Sequence, residues 1–224
     1  ETDYIDLYQI HYPNHDVPFE ETFSALETLL KQGKVRNIGV CNFGVKDMDK
    51  IIPKGSFVTN QLPYSLLWRA IEYGIKPKCV ENGIGILCYS PLAVGLLTGK
   101  FRSPDEVPAG RARTRHFSKG RPHTRHREEG CEELTFKTIE KVRSISEGVG
   151  LPMAQLALTW LMAQEGLTSI LTGARNPRQA EENAKASELE FPKDTIEALN
   201  QATEELKQKL GSNADVYQSD SRIL

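Results

Sequence analysis

Apolar and polar positions fall in blocks along this chain, and five short apolar runs each end on a polar or aromatic group. Tyr4–Ile10 stops at His11, Val35–Cys41 at Asn42, Phe57–Asn60 at Gln61, Ile84–Cys88 at Tyr89 and Ser90, and Thr168–Leu171 at Thr172 and Gly173. Runs of this length and residue type read as strands. Between them the spacing turns helical. Phe19, Phe23, Leu26 and Leu30 predict an amphipathic helix from about Pro18 to Gln32, with Gly33 where a C-cap glycine would sit. Shorter helices are predicted over Val45–Ile52, stopped by Pro53, and over Ile75–Glu81, closed by Gly83. Met153–Ala163 is apolar on nearly every side, which predicts a deeply buried helix with Pro152 in its first turn. Ile196, Leu199, Leu206 and Leu210 line one face of a last helix, with Asp194 as its expected N-cap. Strands alternating with helices predict an α/β fold with a parallel sheet, in a single domain spanning residues 1–224. In such folds chemistry collects at the C-terminal ends of strands. Five polar strand ends therefore predict one ligand site, cut out of a larger one.

Arg102–Gly130 breaks the pattern, with no periodicity, three prolines and seven basic residues from Arg111 to Arg127 that Asp105 and Glu106 only lightly offset. A loop this long inside a domain is either functional or disordered. Both a basic flap over an anionic ligand and a solvated loop are open readings.

Composition narrows the function. A formal net charge of −2 argues against a nucleic-acid or membrane-surface role, and no apolar stretch approaches the length of a membrane helix. Cys41, Cys79, Cys88 and Cys131 are scattered without a CxxC pair, as expected for reduced thiols of a cytoplasmic protein. The chain opens on Glu1 rather than Met, close to a strand-like run, which reads as a cut through a longer chain. An eight-stranded barrel takes about 250 residues, so five βα units leave roughly three unaccounted for.

Several strand ends could carry chemistry. His11 could donate to a carbonyl oxygen or move a proton. Asn42 and Gln61 can read another carboxamide or bond loop backbone, and Tyr89 offers a ring that could stack on a flat cofactor. In Tyr89–Phe101, Gly95 and Gly99 permit close backbone approach and Lys100 adds charge. Thr172–Asn183 reads as strand end, glycine turn and helix start, where an anion is favoured and Arg175 strengthens the attraction. His123 and His126 have a possible metal spacing without an acidic or cysteine neighbour.

Five stretches, in order, resemble the aldo-keto reductase family: Asp3-Tyr-Ile-Asp-Leu-Tyr-Gln-Ile-His11-Tyr-Pro, Gly33-Lys-Val-Arg-Asn-Ile-Gly-Val-Cys-Asn42-Phe, Asn60-Gln61-Leu-Pro-Tyr-Ser-Leu-Leu, Tyr89-Ser-Pro-Leu-Ala-Val-Gly-Leu-Leu-Thr-Gly-Lys100 and Gly173-Ala-Arg-Asn-Pro-Arg-Gln-Ala-Glu-Glu-Asn183. The variants are closer to the bacterial-type and potassium-channel β-subunit branch. The resemblance implies a (β/α)8 TIM barrel, of which strands four to eight are present, NADPH as cofactor, and hydride transfer to a small-molecule aldehyde or ketone. It implies that His11 bonds the substrate carbonyl oxygen and that Asn42 and Gln61 hold the nicotinamide carboxamide. Cys41 stands where the family usually has serine. Tyr89 would stack on the nicotinamide, and Ser90, Pro91, Leu92, Gly95 and Lys100 would follow the pyrophosphate. Gly173, Arg175, Gln179, Glu182 and Asn183 would surround the adenosine and its 2′-phosphate, and the loop Arg102–Gly130 would fold over the cofactor. The family's acid tyrosine and its lysine and aspartate partners precede the His11 strand, so of the catalytic set His11 alone is expected here, and an inactive isolated chain with it. A non-catalytic NADPH-binding subunit with a channel-type partner, or a homo-oligomer, is the alternative.

Overall fold

The computed structural model describes residues 2–55 and 57–224. Every predicted run contributes a strand, and the strands pair in parallel in chain order: β1 (Ile5–Ile10), β2 (Val35–Cys41), β3 (Thr59–Pro63), β4 (Gly85–Tyr89) and β5 (Leu167–Ile170). Ile10 lies opposite Val40, Cys41 opposite Gln61, Pro63 opposite Tyr89 and Cys88 opposite Ile170. The polar groups that end the apolar runs are therefore brought to one end of one sheet. The central strands are the buried ones, with Val40, Leu62, Ile86 and Cys88 fully covered. Two-sided burial explains their continuous apolar character.

Helices α1 (Phe19–Lys31), α2 (Val45–Ile51) and α3 (Ile75–Glu81) connect the first four strands. After β4 the chain runs through a long loop, then α4 (Glu132–Val149) and α5 (Met153–Met162), before β5, α6 (Pro177–Lys185) and α7 (Lys193–Leu210). Helix α5 is buried along nearly its whole length, as its apolar surface requires. No helix of the described residues is long and apolar enough to cross a membrane.

Three expectations need correction. The third strand starts at Thr59 and runs on to Pro63, so Gln61 sits inside the strand rather than beyond its end; Phe57, expected in the strand, instead packs edge-on against Phe23 at 6.3 Å. Asp194 does not cap the last helix. Pro192, extended at φ −53 and ψ 147, precedes its first residue, and Asp194 falls in the first turn, where its charge suits the helix dipole. Arg102–Gly130 is not a free flap. Ala112, Thr114, Arg115, His116, Phe117 and His126 are all buried.

That loop is held by hydrogen bonds to backbone carbonyls. Arg115 donates to Glu128 at 2.8 Å and to the carbonyls of Asn213 and Leu210 at 2.9 and 3.1 Å, with its guanidinium 5.3 Å from the Trp68 ring. His116 Nε2 donates to the Leu67 carbonyl at 2.8 Å, while its Nδ1 lies 3.0 Å from the Thr114 hydroxyl. A neutral imidazole with the proton on Nε2 satisfies both partners. The metal spacing of His123 and His126 comes to something else: His126 is buried and bonds the Thr114 carbonyl, whereas His123 is exposed.

Burial pushes the His116 imidazole down to about 4 from an ordinary value near 6.5. Between those values the unfolded chain takes up a proton that the folded chain does not. Stability therefore rises with pH through this window and falls on acidification, by about 3 kcal/mol across it. Urea unfolding at pH 7, 5.5 and 4.5 should show a flatter profile for His116→Gln than for wild type, although the variant is less stable at pH 7. Parallel profiles would contradict the assignment.

The sheet margins give a second expectation. On β1, Ile5 and Tyr8 are 46% and 41% exposed, and Leu171 after β5 is 44% exposed. Open apolar margins template strand addition. The 25.1 kDa polypeptide should self-associate with rising concentration in sedimentation velocity, and Ile5→Lys should reduce this. A concentration-independent monomer would refute it.

Candidate functional site

Asn42 ties four strands together near one end of the sheet. Its backbone sits in the left-handed region at φ 61, directly after β2. From there its N–H donates to the Gln61 carbonyl on β3 at 2.9 Å. Its Nδ2 donates to the His11 carbonyl beyond β1 at 3.1 Å, and its Oδ1 accepts from the Tyr89 hydroxyl on β4 at 2.9 Å. The side chain is 2% exposed. The carboxamide thus spends one donor and one acceptor on the protein itself, the backbone-bonding role the sequence left open. Asparagine suits the position because it tolerates this conformation better than most residues.

Around this bracket sit the other strand-end groups. Burial raises the Tyr89 phenol far above its ordinary value, and the neighbouring Tyr12 phenol adds to the shift. Burial also raises Tyr12, against the opposing pull of Arg222, whose guanidinium lies 4.5 Å from the Tyr12 ring. His11 is exposed, with its ring centroid 5.0 Å from that of Tyr12. Cys41 is buried and its thiol pushed up to about 11, so it is an inert packing group. The Gln61 side chain is half-buried and makes no hydrogen bond to a described residue.

A cavity of about 650 Å³ opens beside β4 and β5. It joins the two segments singled out above: Ser90, Pro91, Leu92, Gly95 and Lys100 on one wall, Gly173, Arg175, Gln179, Glu182 and Asn183 on the other. The β4 wall is a strained turn, with Ser90, Ala93 and Val94 at φ 54, 46 and 51. A β-branched residue in that region is a genuine outlier, of the kind that clusters at ligand sites. Gly95 takes up φ 96, a conformation that favours glycine, with the ends of Arg111 and Lys100 close beside it. On the β5 wall, Asn176 caps α6 by accepting from the Gln179 N–H at 3.0 Å. Gln179 Oε1 accepts from the Arg175 N–H at 2.9 Å, and Asn183 donates to the Gly173 carbonyl at 3.3 Å. A further cavity of about 460 Å³, along the β5 margin, is lined mostly by apolar and small residues such as Met162, Leu167, Ile170 and Ala184 and holds no cation.

Lys100, Arg111 and Arg175 all line the cavity of about 650 Å³, and none makes an ion pair among the described residues. Slight burial and the guanidiniums of Arg111 and Arg175 push the Lys100 ammonium down. Three cations in one cavity, with the wall's Glu182 carboxylate already paired to Arg178, raise the local positive potential in a way that favours an anion. The sequence reading missed Arg111 as a wall residue, because it lies in the aperiodic loop. It also missed two buried polar brackets. Asn60 Nδ2 donates to the Phe43 carbonyl at 2.8 Å and fixes the turn after β2. Asp47, fully buried, accepts from the N–H groups of Gly44 and Leu224 and contacts His15 Nε2 at 2.8 Å, locking the C-terminal residues against α2.

Replacing Asn42 separates backbone strain from bracketing. Asn42→Ala loses both side-chain bonds and places a Cβ residue at positive φ, costing about 2–3 kcal/mol. Asn42→Gly relieves the strain but not the lost bonds, and should recover about 1 kcal/mol of that. Denaturant midpoints for the two variants check this. Equal losses would show that the conformation is not strained.

The aldo/keto reductase family model matches residues 1–204. The NADH-specific methylglyoxal reductase of Escherichia coli (strain K12) is 35% identical over 191 residues, 82% of this chain and 54% of that protein. The aldo-keto reductase yakc of Schizosaccharomyces pombe, whose name carries NADP(+), is 29% identical over 203 residues, 89% of this chain and 57% of that protein. Among solved structures, a glycerol dehydrogenase from Gluconobacter oxydans matches with a TM-score of 0.74 at 26% identity, over 89% of this chain and 58% of that one. The chain spans little more than half the length of these relatives. Its ordered parallel strands, its strand-end cluster and a family match over nearly all of its length lead to one conclusion: the chain belongs to the aldo/keto reductase family.

Proposed function

We propose that this chain binds NADPH and serves the reduction of a small aldehyde or ketone, its five strands corresponding to strands four to eight of a (β/α)8 barrel. The observation that carries the reading is the convergence of Lys100, Arg111 and Arg175 in one cavity bounded by the two glycine-containing turns. The residues present fit the cofactor. A cavity of about 650 Å³ lies within the usual range for such ligands. Three cations without carboxylate partners suit a pyrophosphate and a 2′-phosphate. Arg175, on the α6 side, is the residue placed to pair with the 2′-phosphate, in a bidentate manner that lysine could not reproduce.

Bound nicotinamide would supply the hydride for the carbonyl carbon. The protein's own part is to hold and orient. Tyr89 presents a ring at the end of β4, braced by Asn42 through its hydroxyl. The Gln61 side chain retains its hydrogen-bonding groups for a carboxamide. His11, exposed beside Tyr12, would donate to the substrate oxygen. The phenols at these strand ends, Tyr12 and Tyr89, are both raised by burial, and no lysine is among the groups that shift either one. Neither is read as the proton donor. The polypeptide of residues 1–224 is therefore read as binding the cofactor without appreciable turnover by itself. Such a donor is worth typically 10²–10⁴-fold in rate.

Relatives named for each nicotinamide cofactor exist, so the preference is the discriminating measurement. Fluorescence titration should give tighter binding of NADPH than of NADH. Arg175→Ala should weaken NADPH by about tenfold or more, as for loss of a charge-assisted pair, and leave NADH nearly unchanged. Equal wild-type affinities would overturn the NADPH assignment. Failure of both nucleotides to bind would overturn the site.

A further inference from the structure

Beside the strand-end cluster, on the far side of Tyr12, lies a small cavity of about 190 Å³ lined by Tyr12, Arg113, His123, Arg125, Tyr217 and Arg222. Its polar lining is three guanidiniums, an imidazole and two phenols. Arg113 and Arg125 are exposed and make no ion pair among the described residues; Arg113 rests 5.3 Å from the Tyr217 ring. The carboxylates that could neutralise this wall are already committed. Asp215 accepts from Arg222 Nε at 2.7 Å and Nη2 at 3.0 Å, and from the Tyr217 N–H at 3.1 Å. Asp220 is paired with Arg127 at 2.7 Å, and Glu128 with Arg115 at 2.8 Å. Arg222, fixed by Asp215 and seated on the Tyr12 ring, is a rigid floor, while Arg113 and Arg125 are open donors at the rim.

The position of this cavity is as informative as its charge. Tyr12 is a wall of it and a direct neighbour of Tyr89, and His11 is the next residue in the chain. Through Tyr12 the cavity adjoins the strand-end face on which His11 stands. Lys100, Arg111 and Arg175 line the other cavity, so the two basic walls share no residue.

We infer that Arg113 and Arg125, over the Arg222 floor, form a specificity pocket for the anionic end of a carbonyl substrate: a short aldehyde or ketone that bears a carboxylate or a phosphate. The inference rests on the carbonyl-reductase reading for its carbonyl end and on the cavity alone for its anionic end. Planar guanidiniums pair with either oxyanion. A neutral aldehyde of the same length leaves them solvated and gains nothing from them.

Isothermal titration of the full chain, with and without saturating NADPH, tests this with succinic semialdehyde against butanal, with glyceraldehyde 3-phosphate against glyceraldehyde, and with inorganic phosphate alone. The anionic member of at least one pair should bind tenfold or more tighter than its neutral partner. Arg113→Gln and Arg125→Gln should each weaken that anion about tenfold, leaving the neutral compound and NADPH unaffected. The pair that shows the difference identifies carboxylate or phosphate as the recognised group. Equal binding within both pairs, or anion binding indifferent to both substitutions, would overturn the pocket. If NADPH fails to bind while an anion still binds in an Arg113- and Arg125-dependent way, the pocket stands and the carbonyl-reductase reading falls. A chain that binds NADPH but no anion has the opposite outcome.

Discussion

The site depends on one carboxamide. Parallel strands leave their last carbonyls pointing past the sheet edge, where loops must satisfy them or water must. Asn42 meets three of the four neighbouring ends from a single residue. It can do so because its backbone turns into the left-handed region at φ 61, which aims the N–H toward the Gln61 carbonyl and the side chain toward His11 and Tyr89. The positions of His11 and Tyr89 are consequently coupled: a shift of β1 against β4 breaks a bond to the same side chain. This coupling gives the strand ends a fixed geometry that no pairwise loop contact would.

The β4 end is built on the opposite principle. Ser90, Ala93 and Val94 all occupy the left-handed region within five residues, at a cost of the order of 1–3 kcal/mol each. Buried apolar groups in the same turn, Ala93, Leu96 and Leu97, hold it in place. The strain bends the chain sharply enough to bring Lys100 back to the strand-end face, facing the α6 start across the cavity. Packing energy in the turn thus offsets both the backbone strain and the mutual repulsion of the cations.

How much of this could be read from residues alone follows from where apolar character is concentrated. The five strands and the gathering of His11, Asn42, Tyr89 and Gly173 at one end were legible, because most of the strands lie in largely apolar runs that close on a polar group; Gln61 was displaced into its strand because β3 is the most polar of them. Helix α4 was not. Its buried face includes Thr135, Thr138, Arg143 and Ser146 beside Phe136, Ile139 and Val142, so the apolar stripe is thin. Arg143 is buried because it donates to the carbonyls of Gly99 and Phe101, a long-range partnership that no spacing rule reveals. Asn60 and Asp47 were illegible for the same reason: each satisfies backbone groups in a segment remote from it or across a turn. The buried middle of Arg102–Gly130 was not legible, because polarity suggests exposure, whereas Arg115 and His116 carry their own hydrogen-bond partners into the interior.

The run Arg111-Ala-Arg113-Thr-Arg115 shows what that burial achieves. Three guanidiniums at every second position leave the chain in three directions. Arg115 goes inward, to two backbone carbonyls and Glu128, and is the anchor. With the loop pinned there and at His116, Arg111 is delivered to the cavity of Lys100 and Arg175, and Arg113 to the cavity of Tyr12 and Arg222. Neither of these two needs an ion pair to be positioned, because the anchor has already met the entropic cost of ordering the segment. Unpaired charge on a rigid support is what separates an anion site from an ordinary solvated arginine. A single buried residue therefore supports the arginines of both cavities, and the loop that seemed most separable from the fold supplies charge to each of them.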